Sequence, residues 1–266
     1  MDKTGKYLFL AEPFHCDFSH RLFIGHLGNH MLNAADFHST ERGFGMTYLN
    51  TVNKTWVLSR LAIEVYEMPE QYSKFFVETW VESAMRYFTN RNFKITAEDG
   101  RVLGYGRSVW AMIDTETRQP QDILEVNNGD INNWIEADKP CPIGKISRVK
   151  MGGDITPVRT IDTFYSDVDV NGHINSVKYI EHVLDLFDLD WHRKHTVKRF
   201  EIAYVAESHQ GDRLTFGIEE PAKGTGEQPG DQGEQPESEC CIRITKEDDT
   251  AEGTEVCRSR IVYTGK

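Results

Sequence analysis

Arg60-Leu-Ala-Ile-Glu-Val-Tyr66 and Arg199-Phe-Glu-Ile-Ala-Tyr-Val205 carry one pattern twice, 139 residues apart. At that offset Leu61 meets Phe200, Ile63 meets Ile202 and Val65 meets Tyr204. The agreement continues past a loop, where Lys74 meets Arg213, Phe75 meets Leu214 and Val77 meets Phe216. Apolar and polar residues alternate in both copies, the period of a half-buried strand. Agreement on both sides of a loop makes an internal duplication the simplest account.

Each copy has a helical stretch upstream of these strands. In the first, Phe23, Leu27, Met31, Ala34 and Ala35 share a face; in the second, Val177, Ile180, Val183, Leu184 and Phe187 do. Each copy also ends in two strand-like runs. Tyr87–Thr96 and Arg101–Ile113 flank Glu98-Asp-Gly100, and Glu239–Thr245 and Glu255–Thr264 flank Glu252-Gly253. Asp-Gly between alternating runs is a hairpin signal. Each half therefore reads as one helix laid on at least three or four antiparallel strands, an α+β fold repeated in tandem. Pro140, Pro142, Gly144, Gly152 and Gly153 break up residues 127–157, so the boundary is placed at 139/140, giving halves of 1–139 and 140–266. Pro221–Ser238 has no apolar residue but Ala222 and reads as a flexible loop inside the second sheet.

Apolar residues make up 39% of the chain and charged residues 27%, which allows a real core and excludes wholesale disorder. No apolar run approaches the roughly 18 residues of a membrane helix, and the N-terminus has no signal-peptide pattern. A cytoplasmic protein is the expectation. Five irregularly spaced cysteines, with no C-x-x-C, read as reduced thiols and form no zinc pattern. A net charge of −12 argues against nucleic-acid binding. Twelve Asp/Glu against three Lys/Arg in residues 217–256 account for nine of those charges, leaving the rest of the chain only mildly acidic.

The chemistry concentrates in Asp167–Asn175, just before the second helix. Asp169, Asn171, Gly172 and Asn175 are turn and cap formers, and Asn175-Ser176 suits a helix N-cap, so the stretch could be purely structural. His173 among them adds a group able to move a proton near neutral pH, and helix-start amides can hold an oxyanion. Aligning Gly25-His26-Leu27 with Gly172-His173-Ile174 puts Leu22, Ile24 and Gly28 opposite Asp169, Asn171 and Asn175. On that alignment the first copy keeps the helix without the polar set, which points to one site per chain, in the second half.

Asp169-Val-Asn-Gly-His-Ile-Asn-Ser-Val-Lys-Tyr-Ile180 resembles the D-x-N-x-H-x-N-x-x-Y-I motif of acyl-acyl-carrier-protein thioesterases. Trp56-Val-Leu-Ser-Arg-Leu61, Glu78-Thr-Trp-Val81 and Ser108-Val-Trp-Ala-Met112 with Thr117-Arg118 resemble that family's first-half segments, so the resemblance covers nearly the whole chain. It implies a tandem double hot-dog fold and hydrolysis of a fatty acyl thioester on a phosphopantetheine arm. No metal or cofactor is implied, and the partner is an acyl carrier protein. Asp169, Asn171 and His173 match the catalytic motif, and the family's downstream acid in a Tyr-x-x-Glu-Cys context matches Tyr204-Val-Ala-Glu207-Ser208. Ser208 replaces the family's cysteine, which removes a Cys/His mechanism here and leaves Ser208 as a hydrogen-bonding residue or a nucleophile.

The resemblance implies that Glu207 and His173 activate water, while Asn171 and an amide near Gly172 polarise the carbonyl, with Asn175 and Ser208 at the substrate. Asp169 either positions Asn171 and His173 or attacks the carbonyl itself. The acyl chain is expected in the first half, along the Phe23–Ala35 helix and the Trp56–Val65 strand. Basic stretches at Trp191–Arg199 and Lys139–Arg159 offer a docking surface for an acidic carrier, or are simply solvated surface. An acyl-CoA thioesterase, a dehydratase of the same fold and a non-catalytic acyl-binding or docking module are the competing readings. A monomer and a homodimer both fit the duplication.

Overall fold

A computed structural model of the chain describes residues 2–146, 148–219, 237–250 and 252–266. The expected loop Pro221–Ser238 lies outside these, apart from its last two residues. The chain divides into two units, Met1–Ile146 and Ser147–Lys266. Residues 141–143 are held to the first unit by Arg107, whose guanidinium donates to the Cys141 and Ile143 carbonyls at 2.9 and 3.1 Å.

The first unit runs β1 (Gly5–Leu10), α1 (Ile24–Glu41), α2 (Met46–Leu49), β2 (Lys54–Val65), β3 (Lys74–Ala84), β4 (Phe88–Ala97) and β5 (Val102–Asp114). Its strands pair antiparallel in the order β1-β3-β4-β5-β2. The second runs β6 (Ile155–Asp162), α3 (Ser176–Leu184), α4 (Leu189–Lys194), β7 (His195–Tyr204), β8 (Arg213–Glu219), β9 (Ser238–Lys246) and β10 (Thr254–Gly265). Its order, β6-β8-β9-β10-β7, is the same arrangement repeated. The duplication is thus a duplication of topology, with β2 and β7, and β3 and β8, at the 139-residue offset. The hairpin turns fall where Asp-Gly and Glu-Gly stand, with Gly100 and Gly253 at φ +88° and +68°.

Both halves hold a strand that periodicity did not give, β1 and β6, each upstream of its helix. β6 is almost wholly exposed and contains Pro157, which an outer strand tolerates because one side of it needs no ladder bond. In β6 alternation is therefore missing because no buried face demands it.

The core of each half lies between the helix and the sheet. In the first, Leu27, Met31 and Ala34 of α1 are at most 1% exposed, as are Phe75, Trp80 and Phe93 of the strands. In the second, Val177, Ile180 and Val183 of α3 are at most 2% exposed, as are Phe200, Leu214, Phe216 and Ile244. Each large apolar side chain so buried contributes about 1.5–3 kcal/mol. Two expected face residues lie elsewhere: Phe23 caps α1 and is 45% exposed, and Phe187 lies beyond α3, stacked on Trp191 at 4.3 Å. Beyond α1, residues Ile123–Trp134 form helical turns broken at Asn127-Asn128-Gly129, all at positive φ, over a cluster of Phe44, Leu49, Val81 and Met112. Among the described residues no helix is long and apolar enough to cross a membrane.

Candidate active site

The loop between β6 and α3 is organised by Asp169. Its Oδ1 accepts the Asn171 amide at 2.8 Å and the His173 amide at 3.4 Å, and its Oδ2 lies 3.4 Å from Asn171 Nδ2. The Asp169 amide donates to the His173 carbonyl at 2.8 Å, and the Gly172 amide to the Asp169 carbonyl at 3.0 Å. Gly172 takes φ +81°, the left-handed turn that favours glycine. Asn175 then caps α3, its Oδ1 accepting the Val177 amide at 3.0 Å. Gly172 is therefore a turn residue upstream of the helix, and its amide is already bonded. An oxyanion amide near Gly172 is therefore not Gly172's own, which donates to Asp169.

The first half contains the same loop at a different register. Asp17 Oδ1 accepts the Ser19 amide at 2.7 Å, the Asp17 amide donates to the Arg21 carbonyl at 2.8 Å, and His20 sits at φ +59°. The Leu22 amide donates to the Pro69 carbonyl at 3.0 Å, as the Ile174 amide does to the Ser208 carbonyl at 2.9 Å. Asp17 thus corresponds to Asp169, Ser19 to Asn171, His20 to Gly172, Arg21 to His173 and Phe23 to Asn175. The offset here is 152, not the one obtained by matching Gly25-His26 to Gly172-His173. The first helix runs 18 residues and the second 9, so no single offset spans helix and sheet. The first copy therefore keeps the aspartate and its turn. What it lacks is His173, replaced by Arg21, and Glu207, replaced by Met68.

These two residues meet. His173 Nε2 lies 3.4 Å from Glu207 Oε2, with the side chains 23% and 37% exposed, so the pair is partly screened and still open to water. Neighbours not anticipated hold them. The His209 ring stands edge-on to His173 with centroids 5.0 Å apart. Lys246 Nζ donates to the Glu207 carbonyl at 2.9 Å and lies 3.7 Å from Asp212 Oδ2. Tyr204 donates from its hydroxyl to the Ser176 carbonyl at 2.7 Å, tying β7 to the start of α3. His209 stands two residues from Glu207 and could have been found by proximity; Lys246 comes from β9 and carried no local signal.

Ser208 goes another way. It is 1% exposed, and its hydroxyl neighbours that of Tyr179, whose pKa burial raises. Its carbonyl, through Ile174, fixes the loop. A buried hydroxyl facing the core gives no support to nucleophilic attack by Ser208. Asn171 is exposed at the rim.

Of the basic stretches, Arg193 and Lys194 on α4 are exposed, Arg193 pairing with Asp190 at 2.7 Å. Lys139 is engaged by Glu78.

The chain matches the acyl-ACP thioesterase N-terminal domain over residues 7–127 and the acyl-ACP thioesterase C-terminal domain over residues 156–264. A crystal structure of an acyl-ACP thioesterase from Bacteroides thetaiotaomicron is 48% identical, covers 98% of both chains and superposes with a TM-score of 0.83. A 12:0-ACP thioesterase structure from Umbellularia californica, 21% identical over 99% of this chain and 95% of that one, shares the fold with a TM-score of 0.77. A palmitoyl-acyl carrier protein thioesterase of Gossypium hirsutum is 27% identical over 191 residues, 68% of this chain and 46% of that protein. The chain spans about half the length of such curated relatives. The duplication implied an α+β unit in tandem and the resemblance a double hot-dog; that is the fold the chain shares with these structures.

Proposed function

The chain belongs to the acyl-ACP thioesterase family, and from that membership and the loop geometry we propose that it hydrolyses the thioester of a fatty acyl-acyl carrier protein. The products are the free fatty acid and the carrier's phosphopantetheine thiol. The observation that carries the reading is the 3.4 Å approach of His173 Nε2, on the β6–α3 loop, to Glu207 Oε2, on the β7–β8 connection, where the first half has Arg21 and Met68.

Glu207 takes a proton from water and His173 orients it, so that hydroxide develops beside the carbonyl carbon. Asn171, at the exposed rim, donates its amide to the developing oxyanion; losing one such donor commonly costs about 10²–10³ in rate. Asp169 positions this group. Both its oxygens are committed to the loop, and Asp17 does the same work in a half where Arg21 and Met68 stand in place of His173 and Glu207. The acyl chain is assigned to the first half and the chemistry to the second. Exposed Arg193 and Lys194 fit an acidic carrier.

Release of free fatty acid over a ladder of acyl-carrier substrates tests the proposal, with the same acyl groups on coenzyme A alongside. Carrier substrates should give the higher kcat/KM. Faster turnover on coenzyme A would favour the acyl-CoA thioesterase reading instead.

A further inference from the structure

Away from the His173 loop, the first half brings a carboxylate and two imidazoles together. Glu12 follows β1, His15 ends the single helical turn Pro13–His15, and His30 lies in α1. One ligand atom from each falls within 4.8 Å of the others. His15 Nδ1 is 3.2 Å from Glu12 Oε2, and His30 Nε2 is 3.7 Å from the same oxygen. Zinc bound tetrahedrally at about 2.0–2.1 Å has ligand–ligand edges of about 3.3–3.4 Å, and the two separations bracket that edge.

His30 supplies a second, independent observation. It is 9% exposed, and neither ring nitrogen has a hydrogen-bond partner. A buried polar atom is normally paired, and leaving one unpaired costs about 1–3 kcal/mol. Its ring is packed by Phe9 and Phe75, with centroids at 4.6 and 5.4 Å, which fixes the direction in which Nε2 points. The mouth of the group is open, since His15 and Glu12 are 42% and 41% exposed in their side chains.

We propose that Glu12, His15 and His30 bind one zinc ion per chain, with water in the remaining position. Imidazole and carboxylate suit this cation. The ion would tie the β1–α1 connection to the helix, adding to the His15–His26 ring stack at 4.1 Å. The second half offers an internal comparison. At the 152-residue offset Phe164, Asp167 and His182 stand in the three places, and His182 Nε2 is 3.6 Å from Asp167 Oδ1. A phenyl ring replaces the third ligand, so the second half is not expected to bind.

The full chain, stripped with a chelator and titrated with zinc alone against a chromophoric competitor, should take up one zinc per chain and gain thermal stability on binding. Glu12→Gln and His15→Gln, at half-exposed positions, should keep the native circular dichroism and weaken zinc by more than about tenfold, the loss that even outer partners of a ligand produce. His209→Gln should leave zinc affinity unchanged. Failure to bind stoichiometric zinc, unchanged affinity in both ligand variants, or a loss caused by His209→Gln would each overturn the site.

Discussion

Replacing Asp169 by Asn separates its two chemical roles. Amide Oδ1 still accepts the Asn171 and His173 amides; the charge is lost, and with it the long 3.4 Å contact that Oδ2 accepts from Asn171 Nδ2. Of the two bonds to Oδ1, the one at 2.8 Å has ordinary length and the one at 3.4 Å is weak. A hydrogen bond to a charged group contributes about 1.5–3 kcal/mol net against about 0.5–1.5 for a neutral one. The substitution therefore costs about 1 kcal/mol. If all of it appeared in the positioning of His173, kcat would fall about fivefold, since 1.36 kcal/mol is a factor of ten. Removing a nucleophile or its activating partner costs on the order of 10⁴-fold or more. The internal control is Asp17→Asn, which removes the same charge from the same turn in the first half. Both variants should lose similar thermal stability, and only Asp169→Asn should slow turnover, modestly. Steady-state kinetics on a small acyl thioester, with melting curves for both proteins, gives the answer. A loss in kcat above about 10³ with matched melting temperatures would refute a positioning role and make Asp169 the attacking group.

Three further outcomes follow from the same structure. Arg193→Glu with Lys194→Glu should raise KM several-fold for the carrier-bound substrate, more at low salt, and leave a small thioester unaffected; equal effects on both substrates would remove the docking surface. Burial holds the fully buried His38 imidazole, with Nε2 at 2.9 Å from the Lys3 carbonyl, down at about 3. Below pH ~6.5 the unfolded chain takes up a proton that the folded chain refuses, so this group removes up to ~1.4 kcal/mol of stability per pH unit as pH falls and nothing above pH ~6.5. Urea midpoints from pH 7 to 5 should fall more steeply for the wild type than for His38→Gln, and parallel declines would contradict it. Met31 fills the space between α1 and the sheet, its Cε only 2.1 Å from where a Cβ on Gly106 would stand. Met31→Ala should cost about 2–5 kcal/mol in denaturant unfolding, and with the acyl chain along this face it should move the preference toward longer chains.

The strands were legible because their alternation records a buried face. Ile63 and Ile202 sit at 0% and 1% exposure at matching places. Hairpin turns were legible because Gly100 and Gly253 occupy positive φ, and the α3 cap because Asn175 does what its side chain favours. The outer strands were not, since β6 buries almost nothing. Nor was the register of the helices. Their unequal lengths, with those of the connections that follow, shift the offset from 139 to 152, and His20 in the left-handed region disguises its kinship with Gly172. The first half's Asp17 turn was therefore missed, and with it the strongest argument on Asp169. Glu207 came from resemblance alone, because it stands 34 residues beyond His173 and only the return of the chain through β7 brings the two side chains together. Lys246 and the Tyr204–Ser176 bond are products of strand pairing and had no local pattern to betray them.

The central claim is that His173 and Glu207 act as one group on one thioester. Single-turnover release of free fatty acid by His173→Ala, Glu207→Gln and the double variant, each shown folded by circular dichroism, measures it most directly. Both single changes should lower the rate at least 10²-fold, with the double variant little slower than either. Retention of near wild-type rates by either single variant, or losses that simply multiply in the double, would contradict it.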